Sequence, residues 1–250
     1  MRTLVARMGK ADPIDQDTNQ DLDQKAFPRT LLVIPTLNEA DAIQTLVTEA
    51  RDSGFHEILV IDGFSIDGTR EVAEAAGAQV TLQEFGKGKG CAVRTAMRRF
   101  LEGDAEVLCI IDGDATNIPS HLIPLVRETQ NADVVLGSRI RGRRKTHAMN
   151  TLTYLSNLTV SFLLGAKFMR LFTDVQTGYW AFTRAAVQQI CPLLQAAGFE
   201  IEMEIFTTSL REGLRVVEVP VGFRVRKGKS KFSFRLRLRN LYYAMRYLTS

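Results

Sequence analysis

Between Leu31 and Leu136 the chain alternates short, unbroken apolar runs with longer stretches whose apolar residues recur at helical spacing. Residues 31–34, 58–61, 80–82, 107–111 and 134–136 read as buried strands. Residues 39–51, with Ile43, Leu46 and Val47 on one face, read as the first helix. Further helices follow Asp67-Gly68-Thr69, run to about Leu101, and begin near Pro119-Ser120. Such alternation predicts an α/β fold, a mostly parallel central sheet flanked by helices on both faces, with ligands held at the carboxyl ends of the strands.

Polar residues gather at those ends. Asn38 and Glu39 follow the first strand, Asp62 closes the second, and Ser138-Arg139 closes the fifth. The sharpest signal is Ile110-Ile111-Asp112-Gly113-Asp114, where an apolar run stops on two carboxylates one residue apart. Carboxylates are hard oxygen donors, and a pair so placed can share Mg²⁺ or Mn²⁺ with the phosphate oxygens of a substrate. A solvated turn in which the two acids only cap the next helix is the plainer alternative.

Beyond Arg139 the pattern changes. Residues 152–172 read as one long amphipathic helix, and Asp174 to Tyr179 as a polar loop. Two helices are expected to flank Phe199-Glu200-Ile201-Glu202-Met203-Glu204, and a strand pair to occupy 216–220 and 223–225. Residues 1–29 hold Asp12, Asp15, Asp17, Asp21 and Asp23 among polar neighbours and are expected to form a disordered leader. Residues 30–232 would then form one folded domain, and 233–250 a basic amphipathic helix with Phe234, Leu238, Leu241, Met245 and Leu248 on one face.

The net charge of +4 is unevenly spread: Arg224, Arg226, Lys227, Lys229, Lys231, Arg235, Arg237, Arg239 and Arg246 meet no acid in the last stretch of chain. That end is expected to face anions. No apolar run reaches bilayer length and the N-terminus lacks the apolar core of a secretory signal, so a cytoplasmic protein, peripheral at the inner membrane face, is expected. Cys91, Cys109 and Cys191 stand far apart, with no His nearby, and read as free thiols.

The chain resembles family 2 glycosyltransferases in the order of seven motifs across residues 31 to 231. These are Val33-Ile34-Pro35-Thr36-Leu37-Asn38-Glu39, Asp62-Gly63-Phe64-Ser65-Ile66-Asp67-Gly68-Thr69, Lys87-Gly88-Lys89-Gly90, Asp112-Gly113-Asp114, Gly137-Ser138-Arg139, Asp174 to Tyr179, and Gly228-Lys229-Ser230-Lys231. Within that family it is most similar to the dolichyl-phosphate-mannose-synthase-like branch, which moves a sugar from a nucleotide donor to a polyprenyl phosphate.

The resemblance implies an A-type nucleotide-diphospho-sugar transferase fold, an inverting, metal-dependent hexosyltransferase, and a GDP- or UDP-sugar donor. It places Pro35, Thr36, Glu39, Asp62, Lys87, Lys89 and Asp112 around the nucleotide sugar, and Asp112 and Asp114 on the metal. It also assigns Arg139, Ser230 and Lys231 to the acceptor phosphate, with Arg141, Arg143, Arg144 and Lys145 following on a basic loop. Asp114, Arg139 and Asp174 are the implied catalytic set. A phosphate acceptor is already ionised and needs cations to hold it in line rather than a strong base. With a saccharide or small-molecule hydroxyl as acceptor, Asp174, Glu202 or Glu204 would have to take its proton.

The sequence departs from the family pattern at Gly63, Thr116 and Val225, which leaves the donor sugar open. A nucleotidyltransferase on a related fold would release pyrophosphate instead. A nucleic-acid-binding module is disfavoured, because the basic cluster adjoins an acidic rim that repels a polyanion.

Overall fold

The structure is a computed structural model that describes residues 27–142, 151–224, 239 and 242–247. Its centre is a seven-stranded sheet: β1 (Thr30–Thr36), β2 (Glu57–Asp62), β3 (Gln79–Leu82), β4 (Val107–Ile111), β5 (Val134–Ser138), β6 (Tyr179–Thr183) and β7 (Val216–Pro220). The spatial order is β3-β2-β1-β4-β6-β5-β7. Helices α1 (Ala40–Asp52), α2 (Thr69–Ala75), α3 (Lys89–Glu102) and α4 (Leu122–Glu128) connect the first five strands in sequence. Strand β1 pairs in parallel with both β2 and β4. The chain therefore reverses its winding at the β1/β4 boundary, where a parallel sheet opens a crevice for ligand.

Strands hidden on both faces must be apolar throughout, and β4 (VLCII) is buried at every position. The helices seal the faces in the usual amphipathic way: α1 buries Ile43, Leu46, Val47 and Ala50. One apolar cluster gathers on the α3, α6 (Arg184–Ile190) and α7 (Ile201–Arg211) side, with Met97, Phe100, Phe182 and Phe206. The other gathers against α1 and α4, with Leu46, Phe55, Leu125 and Tyr179.

Several expectations are corrected. Residues 179–183 form a strand, β6, that runs antiparallel to both β4 and β5 and fills the gap between them. Its first residue therefore starts at the rim where β4 and β5 end, so the segment 174–178 is delivered to the same edge. The long helix closes sooner than expected, as α5 (Thr151–Lys167), because a turn with Arg170 N–H on the Gly165 carbonyl ends it. Residues 201–204 lie within α7 itself, whose buried face takes in Ile201, Glu202, Met203, Ile205 and Phe206. Phe223 and Arg224 are not in a strand; Arg224 N–H instead donates to the Thr116 carbonyl at 2.8 Å, tying this segment to the turn after β4.

The expected leader through residue 26, the basic loop residues Arg143, Arg144 and Lys145, and Ser230, Lys231 and most of the basic tail lie outside the described residues. Among the described residues no helix is long and apolar enough to cross a membrane. All three cysteines are free thiols.

Candidate active site

A cleft of about 620 Å³ opens over the carboxyl ends of β1 and β4. Its walls carry Pro35, Thr36, Glu39, Lys87, Lys89, Asp112, Asp114 and Arg139, so residues spread over a hundred positions converge on one cavity. The loops that form it are strained. Of the five non-glycine residues with positive φ among the described residues, Asn38, Phe64, Phe85 and Ala115 lie on the loops after β1, β2, β3 and β4. Such conformations persist only where packing over-determines them, and they concentrate at functional sites.

The twin acids are held differently. Asp114 Oδ1 accepts from Thr116 N–H at 3.1 Å and Thr116 Oγ1 at 2.6 Å, which fixes the turn after β4. Asp112 Oδ1 pairs with Lys89 Nζ at 2.6 Å, and the same ammonium reaches Glu202 Oε1 at 2.5 Å. Gly88 and Gly90 let this segment close against the 196–197 backbone; a Cβ on either would collide with a carbonyl oxygen of Ala197 or Ala196. The backbone is thereby locked with Lys89 aimed between the acids.

Burial would discharge the Lys89 ammonium, but Asp112 and Glu202 outweigh it and hold it above its usual range. Burial also pushes the Glu202 carboxyl up to about 7, against the pull of Lys89.

A second buried pair stands on the opposite wall. Arg139 Nε donates to Asp174 Oδ2 and Arg139 Nη2 to Asp174 Oδ1, both at 2.7 Å, while Nη2 also reaches the Gln176 carbonyl. Asp174 Oδ2 accepts further from Arg139 N–H, and Oδ1 from Asn157 Nδ2 at 2.9 Å. Asp174 is thus fully buried and committed to Arg139; it does not line the cleft. Burial disfavours the guanidinium charge, yet Asp174 holds it firmly ionised. Arg139 Nη1 makes no hydrogen bond among the described residues and belongs to a side chain that lines the cleft.

Asp62 also lies beneath the wall rather than on it. It is fully buried and accepts from Ser65 N–H at 2.9 Å, so it shapes the loop that presents Gly63 and Phe64. Sequence reasoning passed over Leu37, Gln83, Asn157, Phe199 and Phe223, which complete the walls. Asn157 had a visible signal, the one amide side chain in α5.

Asp112 and Asp114 offer hard oxygen donors, and among the described residues no group of three or more His, Cys, Asp or Glu forms a closed metal cage. That donor set fits a cation such as Mg²⁺, which is bound by one or two carboxylates and takes its other oxygens from water and substrate phosphates.

The sheet order, the crevice at its winding reversal and the acids beyond β4 define a nucleotide-diphospho-sugar transferase fold of the A type. The crystal structure of glucosyl-3-phosphoglycerate synthase from Mycobacterium tuberculosis with Mn²⁺, uridine diphosphate and glucosyl-3-phosphoglycerate shares it, with a TM-score of 0.69 at 19% identity over 89% of this chain and 80% of that one. The chain belongs to glycosyl transferase family 2, whose model matches residues 31–191. It is 37% identical over 196 residues to glycosyltransferase AglJ of Haloferax volcanii, an alignment covering 77% of this chain. That alignment spans 62% of AglJ's own length. An undecaprenyl-phosphate mannosyltransferase of Micrococcus luteus is 29% identical over 217 residues, 82% of this chain and 88% of that protein.

Proposed function

We propose that this chain transfers a hexose from a nucleoside-diphosphate sugar to a polyprenyl phosphate at a membrane surface, with inversion at the anomeric carbon. The observation that carries the reading is the meeting of Asp112, Asp114, Lys87, Lys89 and Arg139 around one cleft at the winding reversal. Asp112 and Asp114 would hold Mg²⁺ or Mn²⁺, which when bound offsets the charge that grows on the departing diphosphate. Pro35, Thr36 and Glu39 wall the nucleotide side, and Lys89 supplies a fixed positive charge beside Asp112.

Arg139 is held edge-on by Asp174, which leaves Nη1 for an acceptor phosphate. Its geometry is set before the acceptor arrives, so little ordering cost falls on the encounter. By the family resemblance Ser230 and Lys231 are further candidates for binding the acceptor phosphate. Names of relatives such as the Micrococcus luteus undecaprenyl-phosphate mannosyltransferase support the acceptor class.

Glu202 favours a second reading. It lines the cleft, and a carboxyl raised to about 7 suits a general base for a hydroxyl acceptor. A screen of GDP- and UDP-sugars with Mn²⁺ and a short polyprenyl phosphate, scored by nucleoside diphosphate release, separates the readings. Turnover that needs the lipid phosphate and survives Glu202→Gln supports the first. Turnover only with hydroxyl acceptors, abolished by that substitution, supports the second, and release of pyrophosphate sinks both.

A further inference from the structure

Strand β7 lies at one edge of the sheet, beside β5, and its sequence Val216-Val217-Glu218-Val219-Pro220 sets one acid among three valines. Side chains alternate across a strand, so Glu218 shares its face with Val216, which packs in the apolar cluster of Val160, Phe172 and Val175. Val217 and Val219 pack against the other cluster. An acid turned toward an apolar cluster needs donors, because burial disfavours its charge, and burial does raise the Glu218 carboxyl above its ordinary range.

The donors come from the segment that ends at Asp174. Glu218 Oε1 accepts from Thr173 N–H at 2.7 Å and from Asp174 N–H at 2.9 Å, and Oε2 accepts from Thr173 Oγ1 at 3.0 Å. Residues 173 and 174 lie in no strand, so this carboxylate holds them where sheet pairing does not. A carboxylate only accepts, so the Thr173 hydroxyl gives it a proton and is left to accept from Ser138 Oγ, 2.6 Å away. Ser138 Oγ in turn accepts from Arg141 N–H at 3.0 Å. A string of hydrogen bonds with every proton pointing one way thus runs from the turn after β5 to Glu218.

Both ends of this arrangement bear on Arg139. The backbone that Glu218 grips at Asp174 carries the carboxylate that takes Arg139 Nε, Nη2 and N–H. At the other end Ser138 precedes Arg139, and its carbonyl accepts from Val221 N–H, three residues after Glu218. Glu218 itself does not line the cleft, so anything it does to a bound anion passes through Asp174 and this turn.

We infer that Glu218 is the positioning residue for Arg139: it fixes Asp174 and the turn after β5 so that the guanidinium meets the acceptor phosphate at a set place and angle. What counts is the reach of its carboxylate to two backbone N–H groups, more than its charge. The service to an acceptor rests on the proposed reaction, whereas the hold on Arg139 does not.

The test compares two variants of the full chain. Glu218→Asp keeps the charge but draws the carboxylate back from the N–H groups; with a nucleotide sugar, Mn²⁺ and a short polyprenyl phosphate it should raise the acceptor KM about tenfold or more and leave the donor KM within about twofold. Glu218→Gln loses the charge but keeps an oxygen in reach of both N–H groups, and should hold the acceptor KM within about threefold of wild type. The Arg139 Nε–H resonance, assigned by its loss in Arg139→Lys, should move and exchange faster with solvent in Glu218→Asp but not in Glu218→Gln. Wild-type kinetics and an unmoved resonance in Glu218→Asp overturn the inference. So does a loss that falls on donor and acceptor alike, which marks a general structural role, or a Glu218→Gln variant as impaired as Glu218→Asp. If wild type releases no nucleoside diphosphate, the proposed reaction fails and the resonance alone decides: moved in Glu218→Asp it upholds the hold on Arg139, unmoved it overturns it.

Discussion

Arg139 and Asp174 meet in a closed two-point contact, Nε to Oδ2 and Nη2 to Oδ1, both at 2.7 Å, with the carboxylate wholly buried. The pair joins the end of β5 to the segment that leads into β6. Removing one partner of a buried pair strands the other charge, which costs more than the pair itself contributes.

Asp174→Ala should therefore lower unfolding stability by ~3–5 kcal/mol, measured by urea titration. Arg139→Lys keeps the charge but not the fork, and should weaken acceptor use more than donor binding. A cost below about 1 kcal/mol for Asp174→Ala would mean that the contact is solvated in solution.

Asp114→Ala should reduce nucleoside diphosphate release by on the order of 10²-fold or more, the scale seen when a group stabilising a transition-state charge is deleted. The fold should survive, since the contacts of Asp114 with Thr116 N–H and Oγ1 are local to the turn after β4. Calorimetry with Mn²⁺ and the donor should show the loss as weaker uptake. An Asp114→Ala enzyme with wild-type turnover would remove the acids from the reaction.

Glu202 makes stability depend on pH. Its carboxyl has an ordinary value of 4.5 and is raised to about 7 by burial, so between those values the folded chain binds more protons than the unfolded one. Stability from this group is complete below about 4.5 and is lost as pH rises through about 7, by up to roughly 3 kcal/mol. Glu202→Gln should flatten that slope in denaturation measured on either side of the window. An unchanged slope would place the titration elsewhere.

Tyr179, buried at the start of β6, ties three segments together: its hydroxyl accepts from Ile118 N–H and donates to the Gly222 carbonyl at 3.0 Å. Tyr179→Phe leaves a half-buried N–H and carbonyl without this partner and should cost about 1 kcal/mol in thermal unfolding. Addition of donor should recover part of it if the turn after β4 tightens on binding.

The sheet's first half was legible because its signals are local. In β4 five apolar residues stop at Asp112, and in α1 the spacing of Ile43, Leu46 and Val47 points one face inward. Strand β6 was hidden because YWAFT opens directly from a polar segment and carries no turn signal between them. Its antiparallel course is a tertiary outcome that periodicity does not encode.

The cleft was legible in part for the same reason. Acids at strand ends announce themselves, whereas the surroundings of Glu202 depend on Lys89, 113 residues earlier. On its own, an acid in the first turn of a helix reads as solvated. Asp174 looked like a candidate base because nothing near it in the chain shows that Arg139 and Asn157 claim both its oxygens.

Lys89, clamped between Asp112 and Glu202, has a consequence for how this protein tolerates an empty site. Where acids cluster without a built-in counterweight, taking away the bound ion unleashes repulsion and loosens the fold. Here an ammonium already stands in the gap, so stripping divalent ions with a chelator should lower the melting temperature by no more than the ion's own binding contributes. Lys89→Met should instead make the melting temperature depend on added Mn²⁺, turning an ion recruited for chemistry into one required for architecture.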